Sequence, residues 1–243
     1  MLDVLEEAAA AVSQALGGLD DWGPAGTRQG QYRSDLAADE AVLAVLDAAG
    51  FGVLSEESGL HAASRDVLVV VDPVDGSTNA ARGIPWFATS LCAVDASGPA
   101  AALVVNLASG TRFSAVRGEG AFRDGQRVRP SGCTQLGNAI IGLSGYPSVP
   151  FGWRQFRALG AAALDLCAVA CGWLDAYVDC SPDAHGVWDY LGGVLVCQEA
   201  GAGVAEAFDR DLVVRDPAAR RTPLAAGSSS LLASIVAARR NLD

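Results

Sequence analysis

The amino-acid sequence predicts an α/β protein in which helical layers and sheet layers are stacked on one another. Apolar residues recur with helical spacing in several stretches, and short β-branched runs bounded by Gly, Pro and Ser lie between them. Strand-rich and helix-rich stretches alternate along all 243 residues without a repeat or a low-complexity linker. Because 51% of the residues are hydrophobic, the chain can form a large core, which we expect in two closely packed subdomains.

The first half begins with two amphipathic helices. Residues 2–16 place Leu, Ala and Val on one face, and two glycines end this helix. Ser34 or Asp35 caps a second helix that continues to about Ala49. Short strands follow, and we predict them at 50–54, 67–71, 87–94, 101–107, 112–116 and 120–123.

The second half is richer in helix. Its predicted elements are a strand at 138–144, a helix at 152–171, a short strand that begins at 177, a helix at 188–200 stopped by a glycine, and a C-terminal helix at 229–239. We place the boundary between the subdomains at residue 130. Residues 1–130 would form an α+β subdomain, and residues 131–243, which include Asp189, an α/β subdomain.

Charge and composition exclude several classes of function. Twenty-eight acidic residues against 17 basic ones give a net charge of −11, which argues against a nucleic-acid surface and against an anionic membrane. The N-terminus is acidic and no apolar run approaches the ~18 residues of a membrane span. Six cysteines form no Cys-x-x-Cys pair, so we expect a reduced, cytoplasmic protein. Only His61 and His185 could supply imidazole, so any metal site is expected to use oxygen ligands.

One stretch combines a buried strand with acidic and hydroxyl side chains. The apolar run 67–71 ends at Asp72, and Asp75 follows three residues later, before Gly76 and Ser77. Carboxylates at a strand end can hold a hard divalent cation, and the backbone N–H groups that follow can bind a phosphate. These are the two parts that a metal-dependent phosphatase needs.

Other interpretations of this stretch compete with a metal site. Asp-Pro and Asp-Gly are common turn dipeptides, so the stretch alone is equally consistent with a tight turn. A calcium loop of the EF-hand type requires Asp-x-Asp-x-Asp-Gly, which is absent here. An aspartyl-phosphate enzyme uses an Asp-x-Asp pattern that is one residue shorter. The spacing therefore favours a metal platform over a covalent nucleophile.

Four further acids indicate a function only when they are considered together. Glu56 and Glu57 follow a strand-like segment, Asp189 lies at the start of a helix, and Asp39 lies on the second helix. Each alone is typical of a solvated surface or of a partner for a helix dipole. Their order along the chain resembles that of the inositol monophosphatase family of magnesium-dependent phosphatases.

The resemblance rests on four motifs. The family pattern Asp-Pro-(Ile/Leu/Val)-Asp-Gly-(Thr/Ser) matches residues 72–77, and its Glu-Glu element matches residues 56–57. Its Trp-Asp element, which opens a helix, matches residues 188–189, and its Asp-Leu-x-x-x-Asp element matches residues 35–39. The similarity extends over nearly the whole chain.

The resemblance implies a layered α/β/α/β/α sandwich of the inositol monophosphatase/fructose-1,6-bisphosphatase type, usually as a homodimer. It implies two or three Mg²⁺ ions, which Mn²⁺ could replace, and inhibition by lithium. The implied metal ligands are Glu56, Asp72, Asp75, Asp189 and the main-chain carbonyl of Val74.

Catalytic and substrate-binding roles also follow from the resemblance. Glu56 and Ser77, together with Asp75, would orient and activate the attacking water, and Asp39 would be an outer acid near a weaker metal position. The implied substrate contacts are Gly76, Ser77, Ala162 and, for a hydroxyl group, Asp179.

Three departures from the family pattern concern the pocket. Ala161 stands where family members often have Ser or Thr. The stretch 180–187 is longer than in the inositol enzymes, and a basic residue near the N-terminal acidic element is matched only loosely by Arg28 or Arg33.

The predicted function is a Mg²⁺-dependent phosphomonoesterase acting on a small phosphorylated metabolite, first of all inositol 1-phosphate. Fructose 1,6-bisphosphate, histidinol phosphate and 3′-phosphoadenosine 5′-phosphate are alternative substrates on the same fold. A hypothesis of another class is a non-catalytic protein that binds phosphorylated metabolites.

Overall fold

Five layers of secondary structure make up the protein, as a computed structural model describing residues 1–27 and 30–242 shows. The first outer layer contains the helices α1 (Leu2–Gly17) and α2 (Arg33–Ala48). The central layer contains α4 (Ala162–Ala170) and α5 (Val187–Ala200), and α6 (Ser229–Arg240) forms the last. A sheet lies between each pair of helical layers. This order confirms the predicted α/β/α/β/α sandwich.

The larger sheet has eight strands in the order β2-β1-β3-β4-β5-β6-β7-β8. All neighbours are antiparallel except β1 and β3, which are parallel. The strands are β1 (Gly52–Ser55), β2 (Gly59–His61), β3 (Leu68–Asp75), β4 (Ala88–Asp95), β5 (Gly98–Asn106), β6 (Arg112–Val116), β7 (Gly120–Arg123) and β8 (Gln126–Arg127). The short helix α3 (Ser77–Arg82) follows β3 directly.

The smaller sheet has five strands in the order β10-β9-β11-β13-β12. The strands β10, β9 and β11 are parallel, and β13 is antiparallel to both of its neighbours. The strands are β9 (Ile140–Ser144), β10 (Gln155–Arg157), β11 (Ala176–Asp179), β12 (Gly203–Glu206) and β13 (Pro223–Ala226). Each sheet uses residues from one side of residue 130, and the subdomain boundary at that residue stays a prediction.

The strand β3 shows why its sequence is apolar without alternation. Val69 and Val71 pack against α1 and α2, whereas Leu68 and Val70 face the core that contains α4 and α5. Side chains alternate between the two faces of a strand, so a strand covered on both faces needs apolar residues throughout. Burial of each of these side chains contributes about 1.5–3 kcal/mol. The run thus fixes β3 at the centre of the molecule.

The predicted helix at 152–171 is wrong over its first ten residues. Residues 155–157 form β10 instead, and the helix begins only at Ala162. Gly160 has φ +85°, a left-handed conformation that interrupts a right-handed helix, and Ala161 is extended. The apolar stripe in this segment therefore belongs to two different elements.

The structure also shows the state of the cysteines and whether a described helix could cross a membrane. All six cysteines are free thiols, and Cys92, Cys167 and Cys197 are buried in the core. None of the helices formed by residues 1–27 and 30–242 is both long enough and apolar enough to cross a membrane.

Candidate active site

A bulge at the end of β3 aims two carboxylates to one side. Asp72 pairs with Ser90 of β4 and Asp75 pairs with Ala88, so one extra residue lies on β3. In a regular strand, residues three positions apart point to opposite faces, and the extra residue corrects this. The N–H of Val74 donates to Oδ1 of Asp72 at 3.0 Å and stabilises the bulge. Both carboxylates consequently feel the charge of Asp189.

Carboxylates from three separate elements converge beside this bulge. One oxygen each of Glu56, Asp72 and Asp189 lies within 4.8 Å of the others. Glu56 directly follows β1, and its N–H donates to the carbonyl of Val71 at 3.1 Å, which extends the parallel ladder. Asp189 lies in the first turn of α5. These three residues and Asp75 are called the acidic cluster below.

Burial and mutual repulsion disfavour the charged form of the acidic cluster. Burial raises the pKa of Glu56 to about 8, and the charge of Asp189 adds to this. Burial, and then the charge of Glu56, raises the pKa of Asp72 well above its usual range. Burial and Asp189 do the same to the pKa of Asp75, which a hydrogen bond from the Ala163 amide partly opposes. A cation would remove this repulsion, and an all-carboxylate donor set fits a hard divalent ion such as Mg²⁺.

Asp75 also joins the two halves of the chain. Its Oδ2 accepts the N–H of Ala163 at 2.7 Å, within the first turn of α4. Ala161 is the N-cap of that helix and has no hydroxyl to offer. A carboxylate from β3 therefore satisfies an amide that a capping side chain would otherwise bind. The first turn of this helix therefore has a carboxylate partner although position 161 carries no hydroxyl.

The turn after Asp75 requires glycine and is secured by an asparagine. Gly76 has φ +86°, and a Cβ there would lie 3.1 Å from the carbonyl oxygens of Gly160 and Trp86. Nδ2 of Asn79 donates to the carbonyls of Trp86 and Leu159, each at 2.8 Å. Sequence reasoning assigned no role to Asn79, although it stands at the end of the motif stretch. Its amide binds two distant segments to the turn.

Two cavities adjoin the acidic cluster. The first, called the Glu56 cavity, has a volume of 550 Å³ and contains both Glu56 and Ser77 on its wall. Asp35 and Glu57 make it acidic, and Arg220 is its cation. The lining residues are Gly30, Asp35, Ser55, Glu56, Glu57, Gly59, Val74, Ser77, Trp188, Pro217 and Arg220.

The second cavity, called the His185 cavity, has a volume of 350 Å³. Asp75 and Asp189 lie on its wall together with Ala162, one of the predicted substrate contacts. The lining residues are Asp75, Leu143, Ser144, Gly145, Ala158, Gly160, Ala161, Ala162, Asp165, Tyr177, His185 and Asp189. Most of the predicted site residues are thus divided between the two cavities, whereas Asp72 and Gly76 line neither.

Sequence reasoning missed two titratable residues of the His185 cavity. Burial raises the pKa of Asp165 to about 7, although Nε1–H of Trp86 donates to its Oδ1 at 2.9 Å. Burial alone would lower the pKa of His185, but the hydrogen bond to Asp189 and the nearby carboxylates raise it overall. The available signal for His185 was its position, four residues before Asp189, in a chain with two histidines.

Asp179 does not line either cavity. Its side chain is fully buried at the end of β11, and its Oδ1 accepts the N–H of Ser181 at 2.9 Å. His185, from the long 180–187 stretch, lies beside it, with Nε2 3.7 Å from Oδ2 of Asp179. The contact between Asp179 and a substrate hydroxyl therefore stays a prediction.

The N-terminal acidic element lies behind the Glu56 loop. Asp39 is buried and accepts a hydrogen bond from the hydroxyl of Ser55, the residue before Glu56. Its role as an outer acid at a weaker metal position stays a prediction. Of the two basic candidates, Arg33 forms an ion pair with Asp21, and Arg28 lies outside the described residues.

Comparison with known proteins identifies the family. The model of the inositol monophosphatase family matches residues 25–243. The chain is 36% identical over 178 residues to a fructose-1,6-bisphosphatase/inositol-1-monophosphatase of Archaeoglobus fulgidus, across 71% of this chain and 69% of that protein. It is 32% identical over 206 residues to a fructose-1,6-bisphosphatase of Pyrococcus furiosus, across 83% and 80% of the two chains.

Solved structures agree with the sequence comparison. An inositol monophosphatase from Anabaena superposes with a TM-score of 0.82 at 26% identity, covering all of this chain and 96% of that one. The family consists of metal-dependent phosphatases that act on small phosphorylated substrates. The chain therefore belongs to the inositol monophosphatase family and is a phosphoric monoester hydrolase.

Proposed function

We propose that the protein is a Mg²⁺-dependent phosphomonoesterase for a small phosphorylated metabolite, with inositol 1-phosphate as the first candidate substrate. The observation that carries the proposal is the acidic cluster: carboxylates from the residue after β1, from β3 and from α5 meet within 4.8 Å between two cavities. Like charges gathered in a buried place are unfavourable unless a cation binds there. Family membership supports the same reaction class.

The residues that would hold two or three Mg²⁺ ions are Glu56, Asp72, Asp75, Asp189 and the carbonyl of Val74. Their donors are all oxygen, which suits Mg²⁺ and also permits Mn²⁺. When bound, the metal supplies charge neutralisation of the phosphate and a water of lowered pKa. Lithium sensitivity is part of the same proposal.

The remaining chemistry belongs to side chains and amides of the chain. Ser77 and Glu56 share one cavity wall, so a hydroxyl and a carboxylate can together orient a water toward the phosphorus. Asp75 keeps its carboxylate at the cluster through the Ala163 amide. The N–H groups of Gly76, Ser77 and Ala162 would donate to the phosphate oxygens. The proposed contact between Asp179 and a substrate hydroxyl has the weakest support of these, because that carboxylate is buried and lines neither cavity.

The decisive test is phosphate release from inositol 1-phosphate with Mg²⁺, with Mn²⁺ and with a chelator. We expect turnover with either metal, none in chelator, and inhibition by millimolar lithium. Turnover in chelator by protein shown to be metal-free would contradict the metal mechanism. Binding of several phosphorylated metabolites without release of phosphate from any would favour the non-catalytic binder.

A second substrate is favoured by one cation in the Glu56 cavity. The guanidinium of Arg220 lies 5.3 Å from the ring centroid of Trp188, the neighbour of Asp189. Its Nη1 donates to the carbonyls of Pro217 and Ala219, each at 2.9 Å, and within residues 1–27 and 30–242 it forms no ion pair. A fixed guanidinium at this wall can bind a second phosphate, as in fructose 1,6-bisphosphate.

Replacement of this arginine separates the two substrates. Arg220→Gln should raise KM for fructose 1,6-bisphosphate by about 10- to 100-fold, the loss of one charged hydrogen-bonding group, and leave KM for inositol 1-phosphate nearly unchanged. Arg221→Gln is the matched control, because its side chain lies outside the cavity. Equal changes for both substrates would remove Arg220 from substrate selection.

Two further proposals concern the whole molecule. We propose a homodimer in the cytoplasm, as in the prediction from the sequence. Light scattering on the purified protein should give twice the mass of one chain. A monomer mass at micromolar concentration would contradict the dimer.

A further inference from the structure

We infer that His185 is a positioning residue that orients the carboxylate of the metal ligand Asp189. The inference rests on the proposed function, since that function assigns Asp189 to the metal. His185 belongs to none of the matched motifs, and it lies in the stretch that is longer than in the inositol enzymes.

Two donors converge on Oδ2 of Asp189. The N–H of Gly186 donates to it at 2.8 Å, and Nδ1 of His185 lies 3.2 Å from it. When two donors occupy one carboxylate oxygen, metal binding through the other oxygen is favoured. An ionised carboxylate can only accept, so Nδ1 must carry a proton, as it does in one neutral tautomer and in the imidazolium. The role therefore needs no change in the charge of His185.

The opposite side of the imidazole ring is also held. Nε2 lies 3.1 Å from Oγ of Ser144 and 3.2 Å from the hydroxyl of Tyr177, which come from two adjacent strands of the smaller sheet. The side chain of His185 is 13% exposed, so the packing around it is close. Rigid strands thus fix the ring that fixes Asp189.

The long stretch around His185 has two attachments to the loops before β13. The carbonyl of His185 accepts the N–H of Arg221 at 2.9 Å. Asp183 forms an ion pair with Arg210 at 2.6 Å. The additional residues therefore form a fixed support that carries His185 to the acidic cluster.

Asp179 lies on the side of the His185 ring that faces away from Asp189. Its Oδ2 lies 3.7 Å from Nε2 of His185 and has no hydrogen-bond partner among residues 1–27 and 30–242. The Asp179 carboxylate therefore packs on the Nε2 side of the ring, opposite Asp189, and together with Ser144 and Tyr177 limits the positions that the ring can occupy. We assign Asp179 to the support of His185, in contrast to the substrate contact predicted from the sequence.

The test measures Mg²⁺ affinity in protein variants freed of metal, by isothermal titration calorimetry. His185→Ala should weaken binding by about 10- to 100-fold, the usual effect of losing a partner of a metal ligand. The amide nitrogen of His185→Asn can occupy the place of Nδ1, so this variant should recover most of the affinity. His185→Gln reaches the place of Nε2 instead and should behave like His185→Ala.

Two controls make the result specific. His61→Ala removes the other histidine, which contacts Ser58 at the surface, and should leave Mg²⁺ affinity unchanged. Circular dichroism and the melting temperature in chelator report whether each variant folds. If His185→Ala does not fold, the comparison of His185→Asn with His185→Gln still decides, since both side chains are polar amides.

Distinct outcomes overturn the inference and the proposed function. Wild-type protein that neither binds Mg²⁺ nor releases phosphate would overturn the proposed function. Wild-type protein that does both, with unchanged Mg²⁺ affinity in His185→Ala, would overturn the inference alone. Equal recovery by Asn and Gln, or a change confined to KM, would also overturn it, because either would give His185 a role away from Nδ1.

A double variant tests whether Asp179 contributes to Mg²⁺ affinity through His185. Asp179→Asn should weaken Mg²⁺ affinity less than His185→Ala does, and the double variant should be no weaker than His185→Ala alone, because both act through one ring. Additive losses would contradict this. Unchanged Mg²⁺ affinity with a raised KM for inositol 1-phosphate would instead return Asp179 to the substrate.

Discussion

The two halves of the candidate site hold their carboxylates by different means. Glu56, Asp72 and Asp75 are placed by the backbone, since they follow β1 or end β3 and hydrogen bonds of the sheet fix their positions. Asp189 is placed by a hydrogen bond from Gly186 and by the side chain of His185. The first three acids are encoded in short motifs, whereas the position of Asp189 also depends on the His185 ring, which Ser144 of a distant strand helps to hold.

The largest expected effect is the loss of turnover when a cluster acid is neutralised. Asp72→Asn and Asp189→Asn should each lower phosphate release by about 10³-fold or more, because each removes a proposed metal ligand. Without metal, the two variants should differ in melting temperature. Asp72→Asn should melt at a higher temperature than wild type at pH 8, since burial and the neighbouring acids raise the pKa of Asp72, and an uncharged amide does not carry that energetic penalty.

Asp189→Asn should gain less stability, because the charge that it removes also attracts His185. Melting curves in chelator at pH 8 measure both variants against wild type. Equal stabilisation of the two would show that the halves are electrostatically alike, and wild-type turnover in either would remove that acid from the mechanism.

Removal of the Ser77 hydroxyl from the Glu56 cavity should have the next largest effect on turnover. Ser77→Ala should lower kcat by about 10²-fold or more and leave Mg²⁺ affinity intact, because its hydroxyl is proposed to orient the water. Thr78→Ala is a matched control, since this neighbouring hydroxyl is exposed and lies near the hydroxyl of Tyr32. Steady-state kinetics measure both, and an unchanged kcat in Ser77→Ala would leave the relay to Glu56 alone.

The two halves should also respond together to pH in the absence of metal. Glu56 titrates near 4.5 in the unfolded chain and at about 8 in the folded one, and the pKa of Asp165 rises from 3.8 to about 7. Between these values the folded protein binds more protons than the unfolded chain, so its stability falls as pH rises from about 5 to about 8.

Mg²⁺ requires the ionised ligands, so its stabilising effect should grow over the same interval. Melting temperatures at several pH values, with and without Mg²⁺, test this. Asp165→Asn should reduce the slope between about pH 5 and pH 7 without affecting the gain from Mg²⁺, because Asp165 binds its extra proton in that interval and is not one of the proposed ligands. A metal-free protein that becomes more stable from pH 5 to pH 8 would contradict the described burial of these acids.

The distinction between local and long-range contacts also determines how much of the structure the sequence could predict. Short-range patterns indicated the layered fold and the acids at strand and helix ends, because periodicity and turn chemistry act over a few residues. The bulge in β3 depends on register with β4, and the hydrogen bond from Trp86 to Asp165 spans 79 positions. The interruption of the predicted helix at Gly160 likewise depends on φ +85°. Such features arise from packing partners that no local pattern names.

The smallest expected effect concerns the contact between the halves at α4. Ala161→Ser restores a capping hydroxyl at the start of this helix, a change that typically contributes about 0.5–2 kcal/mol. Here Asp75 already accepts the N–H of Ala163, so the new hydroxyl could gain only the N–H of Leu164. We expect stabilisation below about 0.5 kcal/mol in urea unfolding. In Asp75→Ala, which frees the Ala163 amide, the same substitution should stabilise by about 1 kcal/mol more. Equal gains in both backgrounds would show that Asp75 does not cap α4, and the hydrogen bonds of Asn79 and Trp86 would then still join the two halves.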